Sequence, residues 1–176
     1  TPDSFMVFSV STNAITIPGP IKPTSSREIP SSVKMFLTYA NYYVKLYDTS
    51  THTIDSSFIY SGTVREIIVN QNPAYPRFYI LTSTSILVYD MATKNLVTSK
   101  AWNTYLGSIG VTSITSVDGL DTMEKNPSKL ALLANCRAAG SPSVYIILVN
   151  EQTLAYVKHL SIASQSPTST PSSSPG

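Results

Sequence analysis

The sequence predicts an all-β chain built from repeated, antiparallel four-stranded sheets. Short runs rich in β-branched and aromatic residues follow one another densely, with turn-forming clusters between them. Within these runs apolar and polar residues alternate with period two, as where Val44 and Leu46 interleave with Lys45 and Tyr47. One of the runs recurs along the chain together with the turn that follows it.

Taken in order, "FMVFSV" (5–10) and "NAITI" (13–17) read as strands of an N-terminal segment, 1–17. Residues 18–32, "PGPIKPTSSREIPSS", carry four prolines among serines and read as an extended arm without an element of its own. The repeat domain, 33–163, then opens with strands at 33–39, 42–47, 57–60, 63–69, 77–82, 85–89 and 95–98. It continues with 109–117, 129–134, 143–149 and 154–160. Turn formers such as "DTSTH", "NQNPAYP", "DMATK", "DGLD", "EKNP" and "AAGSP" separate them. Helical periodicity is at its strongest in 129–139, "KLALLANCRAA", a stretch that equally reads as a buried strand. The tail, 164–176, holds only Ser, Thr, Gln, Pro and a final Gly, the composition of a flexible linker or an O-glycosylated stalk.

The recurring stretch is "YVKLYDTSTHTI" from Tyr43, which aligns without gaps on "SILVYDMATKNL" from Ser85. Asp48 meets Asp90, Thr51 meets Thr93 and Ile54 meets Leu96. A third copy keeps Val149, Asn150 and Thr153, with a turn that reads as two residues shorter before Leu154. A carboxylate after a strand can be catalytic, or it can begin a turn by accepting backbone N–H groups. Three copies favour the second role, because a catalytic site needs one copy set apart from the others. Asp48, Asp90, Asn150, Thr51, Thr93 and Thr153 are therefore expected to be structural turn residues.

The segment "(V/L)-Y-D-x-x-T" closing one strand and turning into the next resembles the blades of β-propellers of the quinoprotein-like or WD40-like kind. The resemblance covers about residues 33–160 and implies stacked four-stranded blades. The chain lacks the Gly-His and Trp-Asp pairs of such repeats, and its third unit carries a long insertion. Rings of this kind close with about four to eight blades, and this chain has room for about three, so an incomplete propeller is expected.

Little else in the sequence carries chemistry. His52 and His159 have no acid at metal-ligand spacing. Cys136 is the sole cysteine, in an apolar run, and reads as an inert buried thiol. Asp118, Asp121 and Glu124 in "DGLDTME" lack the alternating spacing of a calcium loop and read as an acidic turn. Glycine-rich phosphate loops and a nucleophile elbow are absent, so no catalytic, cofactor or metal residue is assigned and the chain is expected not to be an enzyme. Of the 11 tyrosines, Tyr42/Tyr43, Tyr75/Tyr79 and Tyr145/Tyr156 suit half-exposed positions for protein or sugar contact, or packing within the sheets.

Charged residues make up only 12% of the chain and the formal net charge is +2, which argues against a nucleic-acid partner. No apolar run reaches membrane-spanning length. An opening "TPDSFMVF" without initiator Met or basic n-region reads as a processed start or an internal cut. The expectation is a non-catalytic structural or interaction module of a secreted or cell-surface protein, self-associating or part of a larger, fibrous, glycosylated assembly. Candidate O-glycosylation residues are Ser166, Thr168, Ser169, Thr170, Ser172, Ser173 and Ser174. The alternative is an intracellular propeller fragment acting as a protein-interaction scaffold.

Overall fold

Strand pairing sorts the chain into one small and three large sheets in a computed structural model that describes residues 7–9, 14–16, 23–39, 43–138 and 141–162. Strands β1 (Val7–Ser9) and β2 (Ala14–Thr16) pair antiparallel with each other as a two-stranded sheet. The first large sheet comprises β3 (Ser25–Glu28), β4 (Lys34–Tyr39), β5 (Tyr43–Asp48) and β6 (Thr53–Ser61). The second comprises β7 (Glu66–Val69), β8 (Arg77–Leu81), β9 (Ser85–Asp90) and β10 (Leu96–Ala101). The third comprises β11 (Ser113–Met123), β12 (Asn126–Ala138), β13 (Ser141–Asn150) and β14 (Tyr156–Ile162). Within each, strand order is chain order and all neighbours are antiparallel.

The sheets stack face to face through two apolar layers. Between the first and second lie Phe36, Val44, Leu46 and Phe58 on one side and Ile67, Val69, Phe78 and Ile80 on the other. Its centre is aromatic: the Phe36 and Phe78 rings are 4.5 Å apart, and Tyr89 stacks on Phe78 at 5.0 Å. The layer between the second and third sheets takes the alternate residues of the same strands, including Ile68, Tyr79, Leu81, Ile86 and Val88, against Leu130, Leu132, Ile147 and Val149. This explains why β8 is apolar and buried from Phe78 onward. As a central strand of the middle sheet it is covered on both faces, so its side chains cannot alternate in polarity. The first strands of the sheets, β3, β7 and β11, lie side by side, β7 touching both others.

Several expectations change. Residues 18–32 are not wholly an arm, because Ser25–Glu28 pairs with β4 as the first strand of its sheet. Its four side chains are all exposed, so backbone pairing alone defines it and no apolar pattern marks it in the sequence. The run 109–117 is not one strand. Trp102–Tyr105 form a 3₁₀ turn and Leu106–Ile109 a single α turn, ended by Gly110 at φ 68°, and β11 begins at Ser113. It runs on through "DGLD", which is no turn: register shifts near Ile114, Val117 and Thr122 let the strand bend while keeping its pairing. Of the 129–139 stretch, the described residues 129–138 are strand, since Leu130, Leu132, Ala134 and Cys136 all face the second sheet.

Candidate functional site

Three turns of one geometry sit at the same end of the three sheets. In the second, Asp90 Oδ1 accepts the backbone N–H groups of Ala92 at 3.0 Å and Thr93 at 2.8 Å, and the Thr93 hydroxyl at 3.0 Å. In the third, Asn150 Oδ1 accepts from Gln152 N–H at 3.0 Å, Thr153 N–H at 2.9 Å and the Thr153 hydroxyl at 3.1 Å. In the first, Asp48 Oδ1 accepts from Ser50 and Thr51 N–H at 2.9 and 3.2 Å, while the Ser50 hydroxyl replaces that of threonine. The Thr51 hydroxyl instead meets that of Thr53 at 2.8 Å. A neutral amide oxygen in the third copy does what a carboxylate does in the others. The turn therefore needs an acceptor oxygen and not a charge. Where the group is ionised, these bonds hold it so: Thr93 N–H and hydroxyl lower the pKa of Asp90, and the Ser50 hydroxyl and Thr51 N–H that of Asp48.

The three turns also have equal length, contrary to the shorter third copy read from sequence. The next residue after Thr is left-handed in each, at φ 58° for His52, 61° for Lys94 and 55° for Leu154. The following strand then pairs in the same register, Ile54 with Tyr47, Leu96 with Tyr89 and Tyr156 with Val149. Leu154 is thus the counterpart of Lys94, not of Leu96. It adopts a conformation unfavourable for a branched side chain because that side chain is fully buried between the second and third sheets. Its carbonyl accepts the Tyr105 hydroxyl at 2.8 Å.

Polar links cross from sheet to sheet along the first strands. Arg27 Nε donates to the Ile67 carbonyl at 3.1 Å, with its guanidinium 3.6 Å from Glu66. Glu66 in turn accepts the Leu120 N–H at 3.0 Å. Arg65 donates to the Val117 carbonyl at 3.0 Å and lies 3.7 Å from Asp118, which also accepts from the Asn135 amide. A second set is buried between the second and third sheets. There the Tyr79 hydroxyl donates to Glu151 Oε2 at 3.1 Å, Arg77 Nε lies 3.5 Å from the same oxygen, and Asn70 donates to the Pro127 carbonyl at 2.9 Å. Burial pushes the Tyr79 phenol far above its ordinary range. Glu151 was not legible as a site residue. In sequence it is an exposed-looking turn acid beside Asn150, and only the stacking of the sheets buries it.

The remaining candidates do not converge. The Nδ1 atoms of His52 and His159 lie 3.5 Å and 2.8 Å from the hydroxyls of Tyr47 and Tyr156. Cys136 is a buried free thiol whose pKa burial raises. Asp121 accepts its neighbour Thr122's N–H, whereas Asp118 is tied to Arg65. Among the described residues no three His, Cys, Asp or Glu side chains come together as a metal site. No helix among them is long and apolar enough to cross a membrane. Of the tyrosines, Tyr43 is exposed, Tyr75, Tyr145 and Tyr156 are half-buried, and Tyr79 is fully buried, packed within the sheets, the second of the two roles open to it from sequence. Tyr42 and the serines and threonines of 164–176 lie outside the described residues. A broad, polar concavity of about 720 Å³ is framed by the β3–β4 loop with Arg27, Glu28, Ser31 and Ser32, and by Gln71.

Three sheets stacked on two shared layers, with their first strands gathered side by side, are the geometry of propeller blades. The chain has the fold of part of a β-propeller. Hydrazine synthase of Kuenenia stuttgartiensis superposes on 90% of the chain and 43% of its own, with TM-score 0.63 and 14% identity. The β-propeller domain of Cps50 (Swd1) from Myceliophteria thermophila does so over 84% and 40%, with TM-score 0.53 and 11% identity. For the WD40 repeats of RRP9 the figures are 80% and 38%, with TM-score 0.57 and 10% identity. The chain thus spans less than half the length of each. No protein-family model matches it, and neither does any curated protein.

Proposed function

We propose that this propeller segment is a non-catalytic structural and interaction module that contacts other proteins. The observation that carries the reading is where its charges lie. Arg27, Glu66, Arg65 and Asp118 bridge neighbouring first strands, and Arg77 and Glu151 pair between blades. Acids and bases so engaged hold the stack together. The broad polar depression at the β3–β4 loop also suits a protein surface better than a small ligand, which favours enclosed and mostly apolar clefts.

The finer reading is a secreted or cell-surface location and membership of a larger, fibrous and glycosylated assembly. Support comes from a low charge content and from the Ser/Thr/Pro composition of 164–176. Intact-mass measurement of the native protein tests it directly. Hexose-type mass increments that map to 164–176 agree with the reading; an unmodified mass with the protein recovered from cytosol sinks the extracellular part. The organisation into segment 1–17, arm, repeat domain and tail is tested on the same material by limited proteolysis.

A free, buried Cys136 with no disulfide partner favours a second reading, an intracellular propeller scaffold. Cross-linking the purified chain in cell extract and identifying the captured peptides separates a protein-contact role, in either compartment, from an enzymatic one. A turnover assay on ester, phosphate and glycoside substrates covers the enzymatic case. Turnover that is lost on Asp90→Ala but kept on Asp48→Ala would refute the non-catalytic reading.

A further inference from the structure

The first blade is covered on the face turned away from the second. In turn-aligned register, Leu37 and Tyr47 are the counterparts of Ile80 and Tyr89 in the second blade, and of Leu132 and Val149 in the third. Those four pack against the blade that precedes their own. Leu37 and Tyr47 belong to neither apolar layer, yet both are 0% exposed. Neighbours in a sheet shield only the flanks of a side chain that stands perpendicular to it, so full burial requires a cover from above. The cover stops short of the far end of β5, where Tyr43 is 47% exposed. A short element therefore lies on this face, where a preceding blade would lie.

The chain holds one piece that fits. Residues 7–15, "VFSVSTNAI", align without gaps on "VYDMATKNL" from Val88, so that Ser9 meets Asp90, Thr12 meets Thr93 and Ile15 meets Leu96. A serine oxygen accepts turn N–H groups as the Asp and Asn oxygens do, though more weakly. Asn13 falls on the left-handed position, which asparagine tolerates better than most residues. The strand pairing agrees: Phe8 pairs with Ile15 as Tyr89 does with Leu96 and Tyr47 with Ile54. β1 and β2 thus have the register of the last two strands of a blade. Residues 17–24 lead from β2 to β3, a link intermediate in length between 62–65 and 102–112, which join the later blades. We infer that β1 and β2 are a half-blade with a fourth copy of the turn, seated on the first blade over Leu37 and Tyr47. Its shortness accounts for the limited cover, since Val7–Ser9 pairs with Ala14–Thr16 beside the turn, level with Tyr47 rather than Tyr43.

A spin label on Ser11→Cys in the 176-residue chain tests the seating by NMR. Ser11 takes the variable turn position of Ser50 and Ala92, and the native Cys136 thiol is buried. The expected result is loss of the amide signals of Ser50 and Thr51 in the adjoining turn, while those of Gln152 and Thr153, two blades farther on, persist. Deleting residues 1–17 should raise the binding of an apolar dye several-fold while the three blades keep their cooperative transition, and deleting 164–176 should not. Ser9→Asp, which supplies the stronger acceptor of the other copies, should slow hydrogen exchange at the Ser11 and Thr12 N–H groups. Broadening at Gln152 instead of Ser50, or at neither, overturns the seating whether or not the truncated chain folds. Broadening of unmodified, isotope-labelled chains by an admixed spin-labelled chain overturns it in favour of donation to a neighbouring copy. Dye binding that rises on removal of 164–176 but not of 1–17 assigns the cover to the tail. Unchanged exchange in Ser9→Asp overturns the fourth turn.

Discussion

Replacing Asp90 by asparagine rather than alanine separates a turn acceptor from a chemically active carboxylate. Asp90→Ala removes an oxygen that receives two backbone N–H groups and a hydroxyl at 2.8–3.0 Å. A single such bond contributes about 0.5–1.5 kcal/mol net. The turn is exposed, so water takes over part of what is lost, and the expected cost is about 1 kcal/mol rather than the sum of three bonds. Asp90→Asn copies the third turn, where Asn150 makes the same three bonds, and should cost under about half of that. Urea unfolding followed through Trp102, buried against the second and third blades, reads the difference. With a slope of about 2 kcal/mol per molar, alanine lowers the midpoint by about 0.5 M and asparagine by half that or less. Acid adds a second signature. The folded carboxyl lies below its ordinary value of 3.8, so its ionised form is the one that folding favours. That contribution is complete above the unfolded value and disappears as the pH falls through the folded one. Asp90→Asn should therefore flatten the decline of stability below about pH 4. An asparagine variant as unstable as the alanine one, or one of full stability that has lost a binding function, would refute the acceptor account.

Glu151→Ala should destabilise by about 3 kcal/mol, because Arg77 and the Tyr79 hydroxyl lose their buried partner, whereas Glu151→Gln, which keeps an acceptor, should cost less; equal midpoints for the two would contradict the buried network. Lys94→Gly should be neutral or stabilising by up to about 1 kcal/mol, since glycine adopts a positive φ freely, while Leu154→Gly at the equivalent position should destabilise by about 2–4 kcal/mol through the emptied core; thermal melts of the pair decide. Native Cys136 should react with a thiol reagent at least about a hundred times more slowly than in urea, and fast native labelling would mean that the blade interface opens. Deleting residues 1–17 should leave the three blades folded, because β1 and β2 pair with each other; loss of the cooperative transition would show that the small sheet supports the stack.

The repeat and the strands that carry apolar side chains inward are legible in the amino-acid sequence. Period-two alternation and turn chemistry are local, so β4, β5, β8 and β9 are legible to within a residue at either end, and β7 from Glu66 onward although read as starting three residues earlier, along with the acceptor role of Asp48, Asp90 and Asn150. Everything set by a neighbour distant in the chain comes from packing instead. Ser25–Glu28 is a strand only because β4 offers it backbone partners. Glu151 is buried only because the third blade lies on the second, bringing it to Tyr79 and Arg77. Leu154 takes a left-handed backbone because the blade interface holds its side chain, an exchange of local strain for burial that no local pattern displays. Likewise Asp121 and Lys158, 37 positions apart in the chain, share one row only once the register of three strand pairs is set. Local propensities specify which way a side chain points from its own strand; only packing specifies what it meets there.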